Sequence, residues 1–305
     1  MSQLRWRKQG FIYTPDGSLP WAKHYAHLPT AAILNNEIIR VFFSALDENN
    51  FGRTAWVDLD IDNPRKVVDA ATEPVLDIGE LGTFDDCGTV PSSLLDFNGK
   101  TYLYYIGHQR TFRVPHMLFG GAALLQPDGR FMRHSRVPIM DRTDEEPFIR
   151  SAACVLQDGD SLKMWYVSCR NWTYTNGQLH YNCVIRLATS TDAVNWNTHP
   201  HICISPSAEH EYAVGRPSVI REHAIYYMWY SIRSFPDRYT IGHAESEDGV
   251  NWIRRDAEWS LQPSDTGWDS EMTCYPFVID IKGVRHMFYN GNRHGASGFG
   301  YAVLE

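Results

Sequence analysis

The stretch Pro217-Ser-Val-Ile220 decides the fold, because it opens a pattern that recurs along the chain. A second apolar stretch follows at residues 225–231, and a third, Ile241-Gly-His-Ala-Glu-Ser246, carries small residues. These stretches are rich in β-branched and aromatic residues, which favour strands. Comparable openings recur at intervals of about 60 residues, and they begin at Pro29, Pro91, Ala152, Pro217 and Pro276.

Turn residues separate the first and second strands of several repeats. Asn98-Gly99, Asp158-Gly159 and Lys282-Gly283 suit the two-residue loops of β-hairpins. Five repeats, each a four-stranded antiparallel meander, predict an all-β fold, a five-bladed β-propeller. The alternative is a β-sandwich whose repeat spacing is accidental. We expect a single domain that spans residues 1–305.

The two ends of the chain predict how the ring of blades closes. The last repeat stops just after its third strand, at Val303-Leu-Glu305. The N-terminal segment, residues 4–15, parallels residues 250–263, the outer strand of the fourth repeat. We therefore expect the N-terminal strand to complete the last blade and to leave no open sheet edge.

Composition narrows the classes of function. The chain has 28 basic and 36 acidic residues, a net charge of −8 that disfavours a nucleic-acid partner. Its 10 Trp and 16 Tyr suit ring-lined carbohydrate sites. No apolar run is long enough to span a membrane, and the N-terminus lacks a secretory signal. Six Cys without a paired motif predict buried thiols in a cytoplasmic protein, with no metal site and no cofactor.

Acidic residues recur just before the first strand of four repeats, where the antiparallel meander places them around one mouth of the channel. From these we predict three catalytic residues, Asp86, Glu211 and Glu271. Crowded carboxylates raise each other's pKa, and glycosidases need one protonated and one ionised acid. We assign Glu211, with a raised pKa, as the proton donor, Asp86 as base or nucleophile, and Glu271 to orienting the substrate. The alternative is that these acids cap strands or pair with arginines.

Arginines are more numerous around the predicted mouth than the acids alone require. Guanidinium groups bind carboxylates and phosphates through two hydrogen bonds, so the pattern favours an anionic sugar, a sugar phosphate or a sugar nucleotide as the partner. The predicted substrate-binding residues are His24, His27, His108, Arg110, Glu146, Arg150, Arg170, Trp172, Arg216, Arg233, Tyr275, Asn292 and His294.

Several motifs carry a family resemblance. Gly215-Arg-Pro-Ser-Val-Ile220, Trp268-Asp-Ser-Glu-Met-Thr-Cys-Tyr-Pro276 and Tyr289-Asn-Gly-Asn292 resemble the five-bladed propeller glycosidase superfamily, which includes glycoside hydrolase families 32, 43, 62, 68, 117 and 130. The chain looks like a bacterial branch linked with surface-polysaccharide gene clusters. The resemblance covers nearly the whole chain and implies a glycoside hydrolase-like enzyme that uses carboxylate acid/base chemistry.

Two departures from the superfamily pattern leave the reaction open. The Asp usual on the first inner strand is absent from His24-Tyr-Ala-His27, and Gly215-Arg-Pro217 stands where Glu-Gly-Pro often supplies the general acid. One alternative is an isomerase or transferase acting on a nucleotide sugar in polysaccharide biosynthesis, with His24 or His27 as base. Another is a sugar-binding propeller without catalysis.

Overall fold

Strands dominate the computed structural model, which describes residues 5–175, 177–236 and 238–305. Within these residues the chain forms twenty strands and two short helices. They are β1 (Trp6–Tyr13), β2 (His24–Ile33), β3 (Ile38–Leu46), β4 (Gly52–Asp60), β5 (Val67–Ala70), β6 (Gly88–Phe97), β7 (Lys100–Arg110), β8 (His116–Leu125), β9 (Phe131–Arg133), β10 (Arg150–Asp158), β11 (Ser161–Thr175), β12 (Gln178–Ser190), β13 (Asn197–Ile204), β14 (Glu211–Glu222), β15 (Ile225–Ser234), β16 (Arg238–Ser246), β17 (Ile253–Arg254), α1 (Asp256–Trp259), β18 (Cys274–Ile281), β19 (Val284–Asn290), α2 (Asn292–Gly295) and β20 (Phe299–Leu304). The predicted all-β class is confirmed.

The strands form one sheet of twelve strands and two sheets of four. Strands β14 to β17 form one small sheet, and the order β1-β20-β19-β18 forms the other. In the large sheet, single parallel residue pairs, Gly52 with Gly88 and Phe119 with Arg150, join antiparallel groups. These groups are β2–β5, β6–β9 and β10–β13, so the antiparallel four-stranded unit recurs throughout the described chain.

Short turns fix the register of the first hairpin in these groups. Asn98 and Gly99 both have positive φ (50° and 72°), as do Lys282 and Gly283 (50° and 78°). Positive φ at both loop positions is the conformation that twists two-residue hairpins correctly. The turns predicted at these two positions are therefore confirmed.

The first strand of each group contributes to a continuous set of contacts. Strand β2 contacts β6, β6 contacts β10, β10 contacts β14, β14 contacts β18, and β18 contacts β2. Large side chains fill the space between neighbouring sheets, and Trp165, Trp229 and Tyr289 are fully buried there. Because each sheet is covered on both faces, its central strands are apolar along their length and do not alternate.

The N-terminal strand β1 pairs antiparallel with β20, from Trp6 opposite Leu304 to Tyr13 opposite Phe299. The prediction that this strand completes the last sheet is confirmed. Leu4, counted with the same segment above, lies outside the described residues. Among the described helices, neither is long and apolar enough to cross a membrane.

Candidate functional site

A cavity of about 500 Å³ lies at the end of the sheets where the first strands begin. Its walls come from the starts of first strands, the ends of second strands and the starts of third strands. The polar and aromatic residues that line it are Tyr25, His27, Asn50, Cys87, His108, Arg110, His116, Ser151, Tyr181, Arg216, Arg233, Tyr239, Tyr275 and His294. Among the described lining residues there is no Asp or Glu, so the wall is cationic and aromatic.

Arg233, near the end of β15, is the central charged group of this cavity. Only 9% of it is exposed, and its guanidinium lies 4.5 Å from the centroid of the Tyr181 ring and 5.2 Å from that of Tyr239. Its Nε and Nη1 are buried without a hydrogen-bond partner. Among the described residues no carboxylate pairs with it. A buried cation with unused donors is costly, which makes Arg233 a candidate for anion binding.

Arg216 differs, because its guanidinium is bound within the protein. Its Nη1 donates to the Ser92 carbonyl at 2.5 Å, and its Nη2 donates to the Thr30 hydroxyl at 2.9 Å. These contacts join β14 to β6 and β2. Burial lowers the pKa of Arg216 to about 10, so it stays charged at neutral pH. Arg216 lines the cavity, as predicted for a substrate-binding residue, but it also connects strands of three groups.

Four histidines, His27, His108, His116 and His294, line the same cavity. The rings of His108 and His116 have centroids 5.4 Å apart, and the Nε2 atoms of His27 and His116 are buried without a partner. These ring nitrogens can bond to the hydroxyls of a bound sugar. Within the described residues no group of three or more His, Cys, Asp or Glu is arranged to hold a metal ion.

The cavity keeps three of these imidazoles, those of His27, His108 and His116, neutral. Burial lowers the pKa of His27 to about 3 and that of His108 and His116 to about 4. Nearby positive charge adds to the effect: Arg110 lowers the pKa of His108, and Arg233 contributes to lowering that of His116. Near neutral pH these three histidines therefore act as neutral donors and acceptors, and the arginines carry the charge.

Three acids near the mouth bind tyrosines of the second strands. The pairs are Tyr105 with Asp85 at 3.0 Å, Tyr166 with Glu146 at 3.0 Å and Tyr289 with Asp269 at 2.9 Å. Each acid also pairs with a cation: Asp85 with Arg133, Glu146 with Arg150 and Asp269 with Lys8. Glu146 and Arg150, both predicted to bind substrate, thus bind each other outside the cavity lining. These contacts support the alternative in which the acids pair with arginines.

Glu211 also pairs with an arginine, and it lies outside the cavity lining. Its two carboxylate oxygens accept hydrogen bonds from Arg254 at 2.8 and 3.0 Å, and Oε2 also accepts from the Ser207 N–H at 2.9 Å. Burial raises the pKa of Glu211, but these hydrogen bonds outweigh it and the pKa is lowered. The predicted raised pKa is wrong, because the sequence pattern did not reveal Arg254 as the partner.

The other two predicted catalytic acids differ in position. Glu271 is exposed and lies outside the cavity lining, where its N–H donates to the Asn292 side chain at 2.8 Å. Asp86 precedes the lining residue Cys87, and its charge opposes the lowering of the His108 pKa. Its Oδ2 accepts from the Gly82 N–H at 2.9 Å, and its Oδ1 is buried without a partner. Of the three, Asp86 is the one beside the cavity.

The predicted substrate-binding residues divide into two sets. The cavity brings together His27, His108, Arg110, Arg216, Arg233, Tyr275 and His294. The lining does not include His24, Glu146, Arg150, Arg170, Trp172 and Asn292. The Nε2 of His24 lies 2.9 Å from the Oδ1 of Asn50, which is a lining residue. Trp172 packs on His116 and Tyr181. Arg170 is exposed.

The sequence interpretation missed several lining residues on third strands. His116 pairs with Arg110 across the hairpin, Tyr239 pairs with Arg233, and Tyr181 pairs with Trp172. A hairpin returns the chain to the same end of a sheet, so the start of a third strand faces the mouth as closely as the end of the second. Applying that rule to the third strands would have identified all three.

A disulfide lies in the hairpin beside Tyr181. Cys169 on β11 and Cys183 on β12 are directly paired, with their Cα atoms 4.0 Å apart, and they form a disulfide bond. The prediction that all six Cys are thiols is wrong for these two. Cys87, Cys154, Cys203 and Cys274 are free.

Comparisons with other proteins agree with this architecture. No family model matches the chain. The uncharacterized protein Rv1502 of Mycobacterium tuberculosis strain H37Rv is 35% identical over 302 residues, which cover 99% of this chain and 100% of that protein. A solved glycoside hydrolase is 19% identical, covers 97% of this chain and 90% of its own, and superposes with a TM-score of 0.74.

Another solved structure is described as from the GH130 family of mannoside phosphorylases, which contains glycoside hydrolases that target β-1,2 mannosidic linkages in Candida mannan. It is 13% identical, with 98% of this chain and 96% of that one covered and a TM-score of 0.71. The resemblance to the propeller glycosidase superfamily is confirmed at the level of the fold.

Proposed function

We propose that this chain, which belongs to the same family as the mycobacterial protein Rv1502, is a carbohydrate-active enzyme that processes an anionic glycoside or activated sugar. Its glycoside hydrolase-like fold supports a sugar substrate. The single observation that carries the anionic class is the buried guanidinium of Arg233, whose Nε and Nη1 have no partner. The 500 Å³ cavity is in the size range of small-molecule sites.

The proposed fold is a closed five-bladed β-propeller. The contacts among β2, β6, β10, β14 and β18 support it, because they lead from one four-stranded group to the next and return to the first. The pairing of β1 with β20 supports closure by the N-terminal strand. In this arrangement the cavity is one mouth of the central channel.

The charge of the cavity selects the ligand class. Arg233 and Arg110 line it, and no described acid in the lining offsets them. Tyr181 and Tyr239 flank Arg233, and burial raises the Tyr239 pKa, so that its phenol stays a neutral donor. A carboxylate or phosphate of a sugar would receive the free guanidinium hydrogen bonds, while neutral imidazoles bind its hydroxyls.

Asp86 is the proposed acid/base group. It is the one predicted catalytic acid whose neighbour lines the cavity, and its Oδ1 is buried without a partner. Beside His108 it would act as base or nucleophile toward a bound sugar. Glu211 is not proposed as the proton donor, because Arg254 binds both of its oxygens.

Binding calorimetry on Arg233→Gln tests the anionic class. Loss of charge-assisted hydrogen bonds should weaken binding by about 1.5–3 kcal/mol, roughly 10- to 150-fold. The ligands are D-glucuronate, glucose 6-phosphate and UDP-glucuronate, with methyl glucoside as the neutral comparison. Arg170→Gln is the matched control, because Arg170 is exposed and outside the lining. Preference for the neutral sugar, or equal losses in both variants, contradicts the proposal.

A sugar-binding protein without catalysis is the second candidate, favoured by the lack of any Asp or Glu among the described lining residues. Asp86→Asn separates the two. For the enzyme, turnover should fall about 100-fold or more while affinity is kept. Hydrolysis releases free sugar, whereas transfer or isomerisation leaves an activated one. If UDP-glucuronate, the anionic ligand of the panel that carries a leaving group on its anomeric carbon, binds but is not turned over by the native protein, the binding protein is the better assignment.

A further inference from the structure

One lining residue, His116, can do more than bind a sugar hydroxyl as a neutral imidazole. It begins β8 and lines the cavity beside Arg233 and His108. Its ring packs against Trp172 and Tyr181, with centroid distances of 5.7 and 5.5 Å, and against His108 at 5.4 Å. Its Nε2 is buried without a hydrogen-bond partner. Aromatic packing thus holds the His116 ring in place while its Nε2 makes no hydrogen bond.

We propose that His116 takes up one proton when an anionic sugar binds at Arg233, and that the resulting imidazolium contacts the same ligand. The inference rests on the proposed function, because it requires the anion. The proton comes from solvent and is held on the imidazole. There it adds a further cation beside the lining arginines and a donor that faces the bound sugar.

The groups around His116 explain why the free cavity leaves it neutral. His108 comes from β7, Arg233 from β15, Trp172 from β11 and Tyr181 from β12. Burial lowers the pKa of His116 to about 4, and His108 and Arg233 add to the lowering. Among the described residues no carboxylate pairs with Arg233 to offset its effect on the pKa of His116.

An anion at Arg233 reverses this balance. The anion cancels the repulsion between Arg233 and a protonated His116, and it adds a negative charge that attracts the imidazolium on the same wall. At about 5 Å, in a partly buried site, such a charge raises an imidazole pKa by enough to bring it from about 4 to roughly 6. Binding is then tightest at low pH, and affinity falls as pH rises through the pKa of the complex. D-glucuronate should bind about tenfold more tightly at about pH 5 than at about pH 7.5.

Calorimetry in buffers of different ionisation enthalpy measures the protons taken up on binding. D-glucuronate is the probe, because its carboxylate remains ionised at about pH 5 and any proton therefore goes to the protein. We expect an uptake of roughly 0.8 proton at about pH 5 and almost none at about pH 7.5. In His116→Gln the uptake at low pH should disappear, and the affinity should become nearly independent of pH.

His243→Gln is the matched control. His243 is also buried, both of its ring nitrogens lack partners and burial lowers its pKa to about 3, but it lies outside the cavity lining. This variant should keep the proton uptake of the native protein. Uptake that persists in His116→Gln would assign the proton to another histidine and overturn the inference.

Binding measurements on the native protein alone also test the role of His116, without any variant. Binding of D-glucuronate with no proton uptake at about pH 5 overturns the role of His116 and leaves the proposed function intact. If D-glucuronate, glucose 6-phosphate and UDP-glucuronate all fail to bind at both pH values, the proposed function fails, and the inference fails with it.

Discussion

The two ends of the first strands enclose cavities of nearly equal size that differ in the side chains lining them. The site cavity measures about 500 Å³, and a second cavity at the other end of the same strands measures about 470 Å³. Size therefore does not distinguish them. The second cavity is lined mainly by aliphatic side chains such as Ile33, Leu94 and Val278.

Unsatisfied polar atoms are the clearest difference between the ends. In the described lining of the site cavity, His27, His116, Arg216 and Arg233 each have a buried nitrogen without a partner. The second cavity has none among its described residues, and its buried polar groups are used structurally. Ser218, for example, accepts the Val278 N–H at 2.8 Å. Unpaired buried groups cost stability, so those in the lining of the site cavity support the proposal that a ligand binds there.

Removal of β1 should have the largest effect, because it disturbs both ends. Deleting residues 2–15, of which 2–4 lie outside the described part, strips β20 of one of its two partner strands and exposes an edge. We expect the melting temperature to fall by about 10 °C or more, or soluble protein to be lost. Deletion of residues 2–5 alone is the control. An unchanged melting curve for the longer deletion would refute closure by this strand.

Substitution of Arg216 should have the next largest effect and should act through stability. In Arg216→Met, the hydrogen bonds to Ser92 and Thr30 are lost, and the free energy of unfolding should fall by about 3 kcal/mol. Chemical denaturation measures the change. Arg170→Met, at an exposed position, should stay within about 0.5 kcal/mol of the native protein. Equal stabilities would mean that Arg216 serves the ligand and not the joining of strands.

A substitution at the second cavity should have the smallest effect. Leu34 lines it and is 47% exposed, so Leu34→Ser should change the stability by no more than about 1 kcal/mol. The affinity for D-glucuronate should remain within about twofold, because no lining residue of the site cavity moves. If binding weakens in step with that of Arg233→Gln, the two ends are functionally connected and the comparison fails.

Much of the fold and part of the site followed from local patterns. The spacing of apolar strands predicted antiparallel four-stranded groups, and the ends of second strands correctly located His108 and Arg233 at the cavity. The acids were harder to place. Glu211 begins the first strand β14 and Asp86 lies two residues before the first strand β6, yet Arg254 binds Glu211 from 43 residues along the chain, while the Oδ1 of Asp86 is left unpaired.

The sequence by itself determined the strands, the repeat and two of the three predicted turns, because each depends on residues adjacent along the chain. Asn98-Gly99 and Lys282-Gly283 form tight hairpins with positive φ at both loop positions, whereas the loop predicted at Asp158-Gly159 lies one residue later. Only the tertiary structure decided which charges are cancelled. The burial and pairing of a charged group depend on side chains from different sheets, such as Tyr181 and Tyr239 around Arg233. These contacts set the pKa of the group and decide which of its hydrogen-bond donors stay free. The chemistry of the cavity is therefore a property of the assembled sheets, whereas their strands are a property of the sequence.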